Sequence, residues 1–565
     1  MLARAARQAQ ARLAEFSQDQ IDAIVAAMAE AVTPHAEPLA RLAVEETGYG
    51  VVADKIQKNL FASRRVFDFI RPMRTVGVVN RLDDRRIVEI AEPFGVVAAV
   101  VPSTNPTSTA IYKVLIALKA RCAIVISPHP SAVRCITRAV EIMAEAAAQA
   151  GAPADSIGWM KTVTLEGTQE LMKHRDVAVI LATGGMGLVR AAYSAGKPAY
   201  GVGPGNAPAF IERSADIRKA VGDIIAGKTF DNGVLCSSEN SVVVDEPVAE
   251  EARREFLAQG GYFLNPGEID QLGKVFVTPQ RLPNPACVGK SAAHIAEKAG
   301  LAVPAGTRVL LAPLAGVGRD HPLSIEKLAP ILSWYVVMDW REGCERCIQI
   351  LRYGGMGHTM SIHSSNEAVI LEFGLKKPAG RICVNTATSY GSIGLTTGLD
   401  PAMTLGCGGW GGNITSDNIS PRHLLNIKRL AYELRPVAAK SPPSAATAPG
   451  RPPQAGGAGP SAGRLSQPRP AEAAEGVPAE ALAARIDEFL SSRGYAQATQ
   501  PRASGEPPAP AVGLEAAAEF LCEEDVRAAI AAGRRLVVDE RTILTPSARD
   551  LGEANRVFVQ AGWPR

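Results

Sequence analysis

Short runs of Val, Ile and Ala alternate with helical patterns through residues 1–436, and this alternation limits the possible folds more than any other feature. The runs predicted as strands are residues 97–101, 123–127, 177–182, 241–244, 309–311 and 361–363. Helices are predicted over 105–120 and 131–150, directly after the first two strands. Strands that alternate with helices form parallel sheets with crossover helices, so we predict an α/β fold. The order is that of a dinucleotide-binding sheet, although the glycine fingerprint GxGxxG is missing.

The composition is typical of a soluble globular protein with a sizeable core, since 47% of the residues are hydrophobic and 21% are charged. The net charge of +3 is too small to indicate a nucleic-acid partner. No apolar run approaches the roughly 18 residues of a membrane span, so no membrane partner is expected. The amphipathic N-terminus is interpreted as the first helix of the fold rather than a presequence, because Glu15 and Asp19 come early.

Nine cysteines are spread along the chain without a secretory signal, and an odd number at low density favours reduced thiols in a cytosol. Cys344 and Cys347 form the only close pair. The pair has no second pair or histidine partner at zinc spacing, so ordinary packing is favoured and no metal is predicted.

The composition changes sharply after residue 436. Residues 437–475 are rich in Pro, Gly, Ala and Ser, and such a segment buries too little apolar surface to offset its chain entropy. We predict a disordered linker there and a second linker over 495–513. Between them, residues 476–494 have helical spacing with an apolar face of Leu482, Ile486, Phe489 and Leu490.

The last segment, residues 514–565, is predicted to be a small ordered module. A helix is expected near 523–532 and strands over 536–539 and 542–544. Nothing in this segment indicates a catalytic role, and Cys522 is interpreted as inert.

Cys236 is a candidate nucleophile at the centre of KTFDNGVLCSSENSVVV. Small and polar neighbours just ahead of a β-run can hold a thiol in a partly exposed turn, where its thiolate is able to attack an aldehyde. A buried core cysteine is the alternative, and composition alone favours it.

Asn105 is the second candidate, within AVVPSTNPTSTAIYK, where a predicted strand ends and Asn-Pro opens a helix. Ligands sit at the carboxyl ends of strands in parallel sheets. The Asn105 side chain either caps the helix or offers its amide to an oxyanion.

These segments together resemble the aldehyde dehydrogenase superfamily, and most of all its coenzyme A-acylating branch, which includes the propionaldehyde and acetaldehyde dehydrogenases of bacterial microcompartments. The matching stretches are EPFGVVAAVVPSTNPTSTAIYKVLIALKARCAIVISPHP, LATGGMGLVRAAYSAGKPAYGVGPGNAPAFIE, KTFDNGVLCSSENSVVV, EKLAPIL, GHTMSIHS and TLGCGGWGGNITSDNISPRHLLNIKR. They span essentially all of residues 1–436 in the family's order. The resemblance makes Cys236 the expected nucleophile and Asn105 the expected oxyanion donor.

The resemblance also implies how the chain is divided. A Rossmann-like cofactor-binding domain with part of an oligomerisation arm is expected over 1–208, and an α/β catalytic domain over 209–400. Residues 401–436 return to the cofactor domain and complete the arm. By analogy, the arms near 76–92 and 425–436 join subunits of a dimer or tetramer.

The expected chemistry is oxidation of a short-chain aldehyde to acyl-CoA through a thiohemiacetal and a thioester on Cys236. Hydrolytic members of the superfamily carry a glutamate base in a Glu-Leu-Gly-Gly-Lys loop. The corresponding segment here is 200–205, with Gly201 at the glutamate's place. Without that base water is a poor nucleophile, whereas a coenzyme A thiol is a good one. Glu239 is the only nearby substitute, and it is interpreted as structural.

The resemblance assigns contacts with the cofactor and the substrates. The expected cofactor-binding residues are Ser127, Pro128 and His129 near the adenosine ribose, Thr183, Gly184 and Gly185 near the pyrophosphate and nicotinamide, and Glu326 at the nicotinamide ribose. The expected cofactor is NAD, with NADP not excluded, and coenzyme A is the cosubstrate. His358 and His363 are candidates for the acyl or coenzyme A pocket, each with a satisfied core histidine as the alternative.

The segment 477–494 resembles the encapsulation peptides of microcompartment enzymes, which implies shell proteins as partners and a place in a microcompartment lumen in the bacterial cytoplasm. A helix that folds back on the enzyme or pairs between subunits is the alternative. Residues 519–552 resemble a short segment of other microcompartment proteins. Two further functions remain open from the sequence: a hydrolytic aldehyde dehydrogenase that yields the free acid, and a non-catalytic scaffold that organises cargo.

Overall fold

The computed structural model describes residues 1–435, 520–538, 542–544 and 546–560. The chain forms two compact units, which divide between Pro442 and Pro443. The larger unit contains three sheets with helices packed on them. The predicted targeting helix at 476–494 and both predicted linkers lie outside the described residues.

The helices of the larger unit follow the chain in this order: α1 (Leu2–Leu13), α2 (Gln18–Val32), α3 (Ala36–Thr47), α4 (Val52–Leu60), α5 (Val66–Ile70), α6 (Pro106–Lys119), α7 (Val133–Gln149), α8 (Leu165–Lys173), α9 (Met186–Tyr193), α10 (Ile217–Thr229), α11 (Glu246–Ala258), α12 (Pro266–Phe276), α13 (Ala292–Lys298), α14 (Trp340–Tyr353), α15 (Glu367–Leu375) and α16 (Thr388–Gly391). Its strands are β1 (Gly77–Leu82), β2 (Ile87–Pro93), β3 (Val96–Val101), β4 (Ala123–Pro128), β5 (Ile157–Trp159), β6 (Val177–Thr183), β7 (Ala199–Val202), β8 (Ala207–Ile211), β9 (Glu239–Asp245), β10 (Gly261–Phe263), β11 (Val309–Pro313), β12 (Ile331–Val337), β13 (Gly357–His363), β14 (Ala379–Val384) and β15 (Leu425–Ala431).

The first parallel sheet has five strands in the order β5-β4-β3-β6-β7. Every residue of its central strand β3 is buried, because α6 and α7 cover one face and α1, α8 and α9 pack against the other. Strands buried on both faces consist of continuous apolar runs, which explains the sequence VVAAVV. From β3 the chain first adds strands on one side, to β5, and then on the other side, to β7. A crevice therefore opens between the carboxyl ends of β3 and β6.

The second parallel sheet has seven strands in the order β10-β11-β12-β9-β8-β13-β14. Helices α10 and α11 cover one face with a core of Val, Ile, Phe and Trp side chains. Helices α14 and α15 pack on the other face around the stacked rings of Phe210 and Phe373. Strand β13 is longer than the predicted 361–363, since it begins at Gly357, where a positive φ of 76° turns the chain into the sheet.

A small antiparallel sheet joins β1, β2 and β15. Leu425 pairs with Pro93 at one end and Ala431 with Ile87 at the other, so the end of the larger unit returns to its early residues. The strands within the two segments expected to act as arms, β1 and β2 in one and β15 in the other, therefore lie side by side. The N-terminal pattern forms two helices, α1 and α2, because Ser17 and Gln20 make a reciprocal capping box that starts α2 anew.

The smaller unit contains two strand–helix–strand segments. They are β16 (Phe520–Leu521), α17 (Glu523–Ala531) and β17 (Leu536–Val538), then β18 (Ile543–Leu544), α18 (Pro546–Ala554) and β19 (Phe558–Gln560). Strand β16 pairs in parallel with β18, and β17 with β19. A core of Val526, Ala548 and Val557 lies between the two helices. The helix and strands predicted for this segment are present within a residue or two.

Candidate active site

A cavity of about 420 Å³ opens at the carboxyl ends of β3, β4 and β6, a size within the usual range of pockets for small molecules and cofactors. The predicted site residues that line it are Asn105, Ser127, Pro128, His129, Thr183, Gly184, Gly185, Cys236 and Glu326. Residues from both parallel sheets thus meet around a single space, although they lie far apart in the sequence.

Cys236 reaches the cavity from a tight turn that precedes β9. Asp231 and Asn232 both adopt the left-handed conformation, with φ of 50° and 54°. Such backbone persists only where its surroundings fix it. The carboxylate of Asp231 accepts a 2.7 Å hydrogen bond from the Val51 N–H, and its own N–H donates to Asp54 at 2.7 Å. The turn that delivers the thiol is therefore attached to the start of α4.

The thiol of Cys236 is half-buried and protonated at neutral pH in this state. Its pKa is raised to about 12, mainly by burial and also by the carboxylate of Glu326, while the Arg381 guanidinium acts in the opposite direction. A thiol needs its thiolate form to act as a nucleophile. Activation of the Cys236 thiol therefore requires an additional positive charge next to the sulfur.

Asn105 stands at the N-cap position of α6, yet its side chain makes no capping hydrogen bond. Its Oδ1 accepts a 2.6 Å hydrogen bond from the Lys58 ammonium, and its Nδ2 is 3.2 Å from the Thr104 hydroxyl. The helix-cap alternative for Asn105 is therefore wrong. The amide nitrogen remains as a donor at the cavity wall.

A buried cluster of charges behind Asn105 was missed by the sequence analysis. Lys55 and Lys58 both contact the carboxylate of Asp231, and all three side chains are almost completely buried. Lys55 also donates to the Thr104 carbonyl at 3.1 Å. In the sequence VADKIQKNL these lysines have the spacing of a solvated helix face, so only the tertiary structure identifies them.

Glu326 is the only carboxylate among the residues that line the cavity. It accepts a 2.9 Å hydrogen bond from the Gly205 N–H. Its pKa is raised to about 7 because burial outweighs the opposing effects of the Gly205 N–H and of the ammonium groups of Lys228 and Lys327. Glu326 is thus partly charged near neutral pH and affects the thiol electrostatically.

The remaining cavity residues follow β4 and β6. The Ser127 hydroxyl pairs with Thr168 at 2.8 Å, and His129 Nδ1 accepts from the Ser131 N–H at 3.1 Å. Burial lowers the pKa of His129, so this ring is neutral. The Thr183 hydroxyl is buried without a protein partner and remains free to bond a ligand.

His358 and His363 do not share a pocket. His358 begins β13 and packs against Gly205, near Cys236, with its Nε2 unpartnered. His363 ends the same strand, which places it about 16 Å further along at roughly 3.3 Å per residue. Neither histidine is among the residues that line the cavity. Only His358 is near enough to Cys236 to affect an acyl group there.

Neither Glu239 nor a side chain placed at position 201 would face the Cys236 thiol. Glu239 is fully buried, and its Oε1 accepts a 2.6 Å hydrogen bond from the Thr388 N–H. A side chain at Gly201 would meet Val189 and Tyr193 of α9 at 2.9–3.1 Å. A glutamate at position 201 would therefore enter the packing of α9 and miss the cavity.

Within residues 1–435 and the described tail segments, His, Cys, Asp and Glu form no group of three able to hold a metal. Cys344 and Cys347 are buried in α14, where the Lys377 ammonium contacts the Cys344 sulfur. None of the described helices is long and apolar enough to cross a membrane.

A family model described as "Aldehyde dehydrogenase family" matches residues 1–395. The bifunctional aldehyde-alcohol dehydrogenase AdhE of Escherichia coli (strain K12) is 44% identical over 430 residues, which are 75% of this chain and 48% of that protein. The chain thus spans about half the length of the first curated relatives it matches.

Solved structures are matched over nearly their whole length. An acetylating aldehyde dehydrogenase from Geobacillus thermoglucosidasius is 49% identical, with a TM-score of 0.76 over 78% of this chain and 97% of the other. A propionaldehyde dehydrogenase from the fucose utilisation bacterial microcompartment of Clostridium phytofermentans is 31% identical, with a TM-score of 0.69 over 76% and 96%. The chain belongs to the aldehyde dehydrogenase family, among relatives that include acylating enzymes.

Proposed function

We propose that this protein oxidises a short-chain aldehyde such as propanal or acetaldehyde, with NAD as the hydride acceptor and coenzyme A as the acyl acceptor. The observation that carries the proposal is the wall of the cavity, where the Cys236 thiol and the Asn105 amide meet and Glu326 is the only carboxylate. A nucleophile, an oxyanion donor and the lack of a dedicated water base together favour transfer to a thiol over hydrolysis.

In the first step, the Cys236 thiolate forms a bond to the aldehyde carbon, and the carbonyl electron pair moves to the oxygen. The resulting oxyanion accepts hydrogen bonds from the Asn105 Nδ2 and the Cys236 backbone N–H. Loss of one such donor typically raises the barrier by about 3–4 kcal/mol. Re-formation of the carbonyl then expels hydride from the same carbon, which bound NAD would accept, and leaves a thioester on Cys236.

The cavity fits a dinucleotide on several grounds. It lies at the carboxyl ends of β3 and β6, the usual ligand position in a doubly wound sheet. Gly185 precedes α9 with open space where a side chain would stand, so backbone N–H groups are accessible to a pyrophosphate. NAD supplies a hydride acceptor when bound. No lysine or arginine is among the cavity-lining residues, which favours NAD over the 2′-phosphate of NADP.

The fate of the thioester follows from the groups around it. Glu326 is held by the Gly205 N–H, Glu239 by the Thr388 N–H, and a side chain at Gly201 would point toward α9. A coenzyme A thiol attacks the thioester carbon, and the Cys236 sulfur leaves as a thiolate, which regenerates the enzyme. His358, next to Gly205, is the candidate for lining the acyl pocket, and His363 has no such role.

The proposal extends to location and assembly. The segment 477–494 is proposed to dock on microcompartment shell proteins, in line with the similarity to a propionaldehyde dehydrogenase from such a compartment. The enzyme then works in a microcompartment lumen in the bacterial cytoplasm. The sheet of β1, β2 and β15 is proposed to join subunits into a dimer or tetramer.

The test is an assay of the purified full-length chain over a panel of aldehydes, with NAD or NADP and with or without coenzyme A. We expect NADH and acyl-CoA to form in equal amounts over many turnovers when coenzyme A is present, and NADH formation to stop after a single turnover when coenzyme A is absent. Cys236→Ser serves as the inactive control. Undiminished NADH formation without coenzyme A, with free acid as the product, would instead establish a hydrolytic enzyme.

A further inference from the structure

The orientation of the Asn105 amide decides whether this residue donates to an oxyanion or repels it. The oxygen and nitrogen of an amide have nearly the same shape, so a hydrogen-bond partner determines which one faces a ligand. An ammonium group only donates. Because the Lys58 ammonium lies 2.6 Å from Oδ1, the oxygen faces Lys58 and the Nδ2 faces the opposite way.

We propose that Lys58 is a positioning residue for the reaction, which holds the Asn105 amide with its N–H toward the developing oxyanion through the buried contact between Lys58, Asn105 and Asp231. This inference rests on the proposed function of Asn105. It assigns a role to a helix, α4, that contributes no residue to the wall of the cavity.

The charge on Lys58 is maintained inside the protein mainly by the Asp231 carboxylate, with a smaller contribution from Asp54. Asp231 is fully buried and contacts both Lys58 and Lys55. The pKa of Lys58 is lowered to about 8, mainly by burial and also by Lys55, while Asp231 raises it. The Lys58 ammonium is oriented by two buried acceptors, the Asn105 Oδ1 and the Asp231 carboxylate.

The same carboxylate also determines the position of the nucleophile. Asp231 is in the left-handed turn that leads to Cys236, and its Oδ1 accepts from the Val51 N–H at the start of α4. Lys58 therefore contacts the oxyanion donor on one side and the nucleophile's turn on the other. Lys58 thus links the two halves of the reaction centre, which come from different sheets, through the side chain of the oxyanion donor itself.

Lys55 provides a matched control on the same helix. It is as buried as Lys58 and contacts the same carboxylate, but its other bond is to the Thr104 carbonyl. Lys55→Met and Lys58→Met each remove one buried ion pair of similar burial. Only Lys58→Met releases the Asn105 amide.

The experiment is a double-mutant cycle on the full-length chain, with rates of NADH formation measured in a single turnover. Asn105→Ala is expected to reduce the rate by roughly 100-fold to 1,000-fold. Lys58→Met is expected to reduce it by roughly 10-fold to 100-fold at unchanged KM for aldehyde and NAD, and Lys55→Met by much less. In the Asn105→Ala background, Lys58→Met is expected to change the rate by less than about threefold, since residues that act as a unit are not additive.

The cycle separates the possible failures. A Lys58→Met loss that persists in full in the Asn105→Ala background, or an equal loss from Lys55→Met, would show that Lys58 is only structural. If Asn105→Ala itself cost less than threefold, the positioning role and the assigned oxyanion donor would both be overturned. The dependence of the wild-type product on coenzyme A tests the proposed function independently of either result. Melting temperatures check folding, and Lys58→Gln replaces Lys58→Met in the same cycle if the latter does not fold.

Discussion

The backbone of Gly205 packs so closely against the carbonyl oxygen of Cys236 that a methyl group has no room between them. The same methyl group would stand 3.0 Å from Cγ of His358. The Gly205 N–H donates a hydrogen bond to the Glu326 carboxylate. Gly205 is therefore the point at which the nucleophile's backbone, the carboxylate and the buried histidine converge.

Replacement of Gly205 by alanine is expected to displace the Cys236 backbone, and kcat should fall by about 100-fold, the usual cost of misplacing a reacting group by about 1 Å. The overpacked site should also lose about 1–3 kcal/mol of stability. Steady-state kinetics and denaturant unfolding measure the two effects. Gly187→Ala is the control, because Gly187 is an exposed position in α9 with open space around it. Unchanged turnover in Gly205→Ala would mean that the Cys236 turn is not rigid.

The reactivity of the thiol should respond to Glu326. The charge on Glu326 raises the pKa of Cys236, so Glu326→Gln is expected to lower that pKa. Alkylation of Cys236 by iodoacetamide at pH 8 should accelerate roughly threefold to tenfold, which corresponds to a shift of about half to one pKa unit. The pH profile of inactivation, measured without aldehyde, is the readout.

Glu239→Gln is the matched control for this change. Glu239 is also a buried carboxylate and is closer to Cys236 in the sequence, but it faces Thr388 instead of the thiol. Alkylation of this variant should keep the wild-type pH profile. An equal acceleration in both variants would mean that a general loosening of the site, rather than the charge on Glu326, controls the thiol.

The α/β fold predicted from the sequence is confirmed, because strands such as β3 and β4 are buried on both faces and carry an unbroken apolar signal. Their ends were also predictable to within a residue or two. This apolar pattern does not identify residues that are buried although their side chains are charged. Lys113 is fully buried in α6, in which every residue is buried. Lys55 and Lys58 are buried against the carboxylate of Asp231, which lies 176 and 173 residues away in the sequence.

The candidate site could likewise be predicted only in part from the sequence. Cys236, Asn105 and Glu326 lie in stretches that a family resemblance identifies, and the structure brings them to one cavity. The resemblance gives no side-chain direction, however. The sequence alone did not indicate that a side chain at position 201 would point toward α9. It also did not indicate that His358 and His363 lie toward opposite ends of one strand. Alternation along a strand and the register between strands determine these directions.

Stability should depend on pH through Lys113. This lysine donates to the carbonyls of Val100 and Leu181 at 2.7 and 2.9 Å, and burial lowers its pKa to about 7. In the unfolded chain a lysine has a pKa of about 10.4, so between these values the unfolded state binds more protons than the folded state. The free energy of unfolding therefore rises with pH across this window, by up to about 1.4 kcal/mol per pH unit from this group.

The measurement compares denaturant unfolding of the wild type and Lys113→Met between pH 7.5 and 8.5, below the range where buried cysteines titrate. The wild type should gain stability relative to the variant as the pH rises, because methionine carries no proton. Lys161→Met, which changes an exposed lysine, should follow the wild type. Parallel curves for the wild type and Lys113→Met would contradict the prediction.

The tail should be separable from catalysis. All the cavity-lining residues lie in the larger unit, and its last strand ends at Ala431. A chain that lacks residues 437–565 is therefore expected to keep kcat and KM within about twofold, since surface segments outside the core tolerate removal. In cells that produce a microcompartment shell, the same truncated chain should no longer co-purify with shells, because the proposed docking helix is gone.

Point variants of the full-length chain distinguish the helix from the rest of the tail. Phe489→Glu places a charge on the predicted apolar face of 477–494 and should abolish co-purification with shells while turnover is unchanged. Glu488→Lys changes a residue that helical spacing puts on the opposite face, so it should leave targeting intact. Entry of the Phe489→Glu variant into shells at the wild-type level would place the targeting signal elsewhere in the chain. The truncated enzyme would then show whether that signal belongs to residues 514–565 or to the larger unit itself.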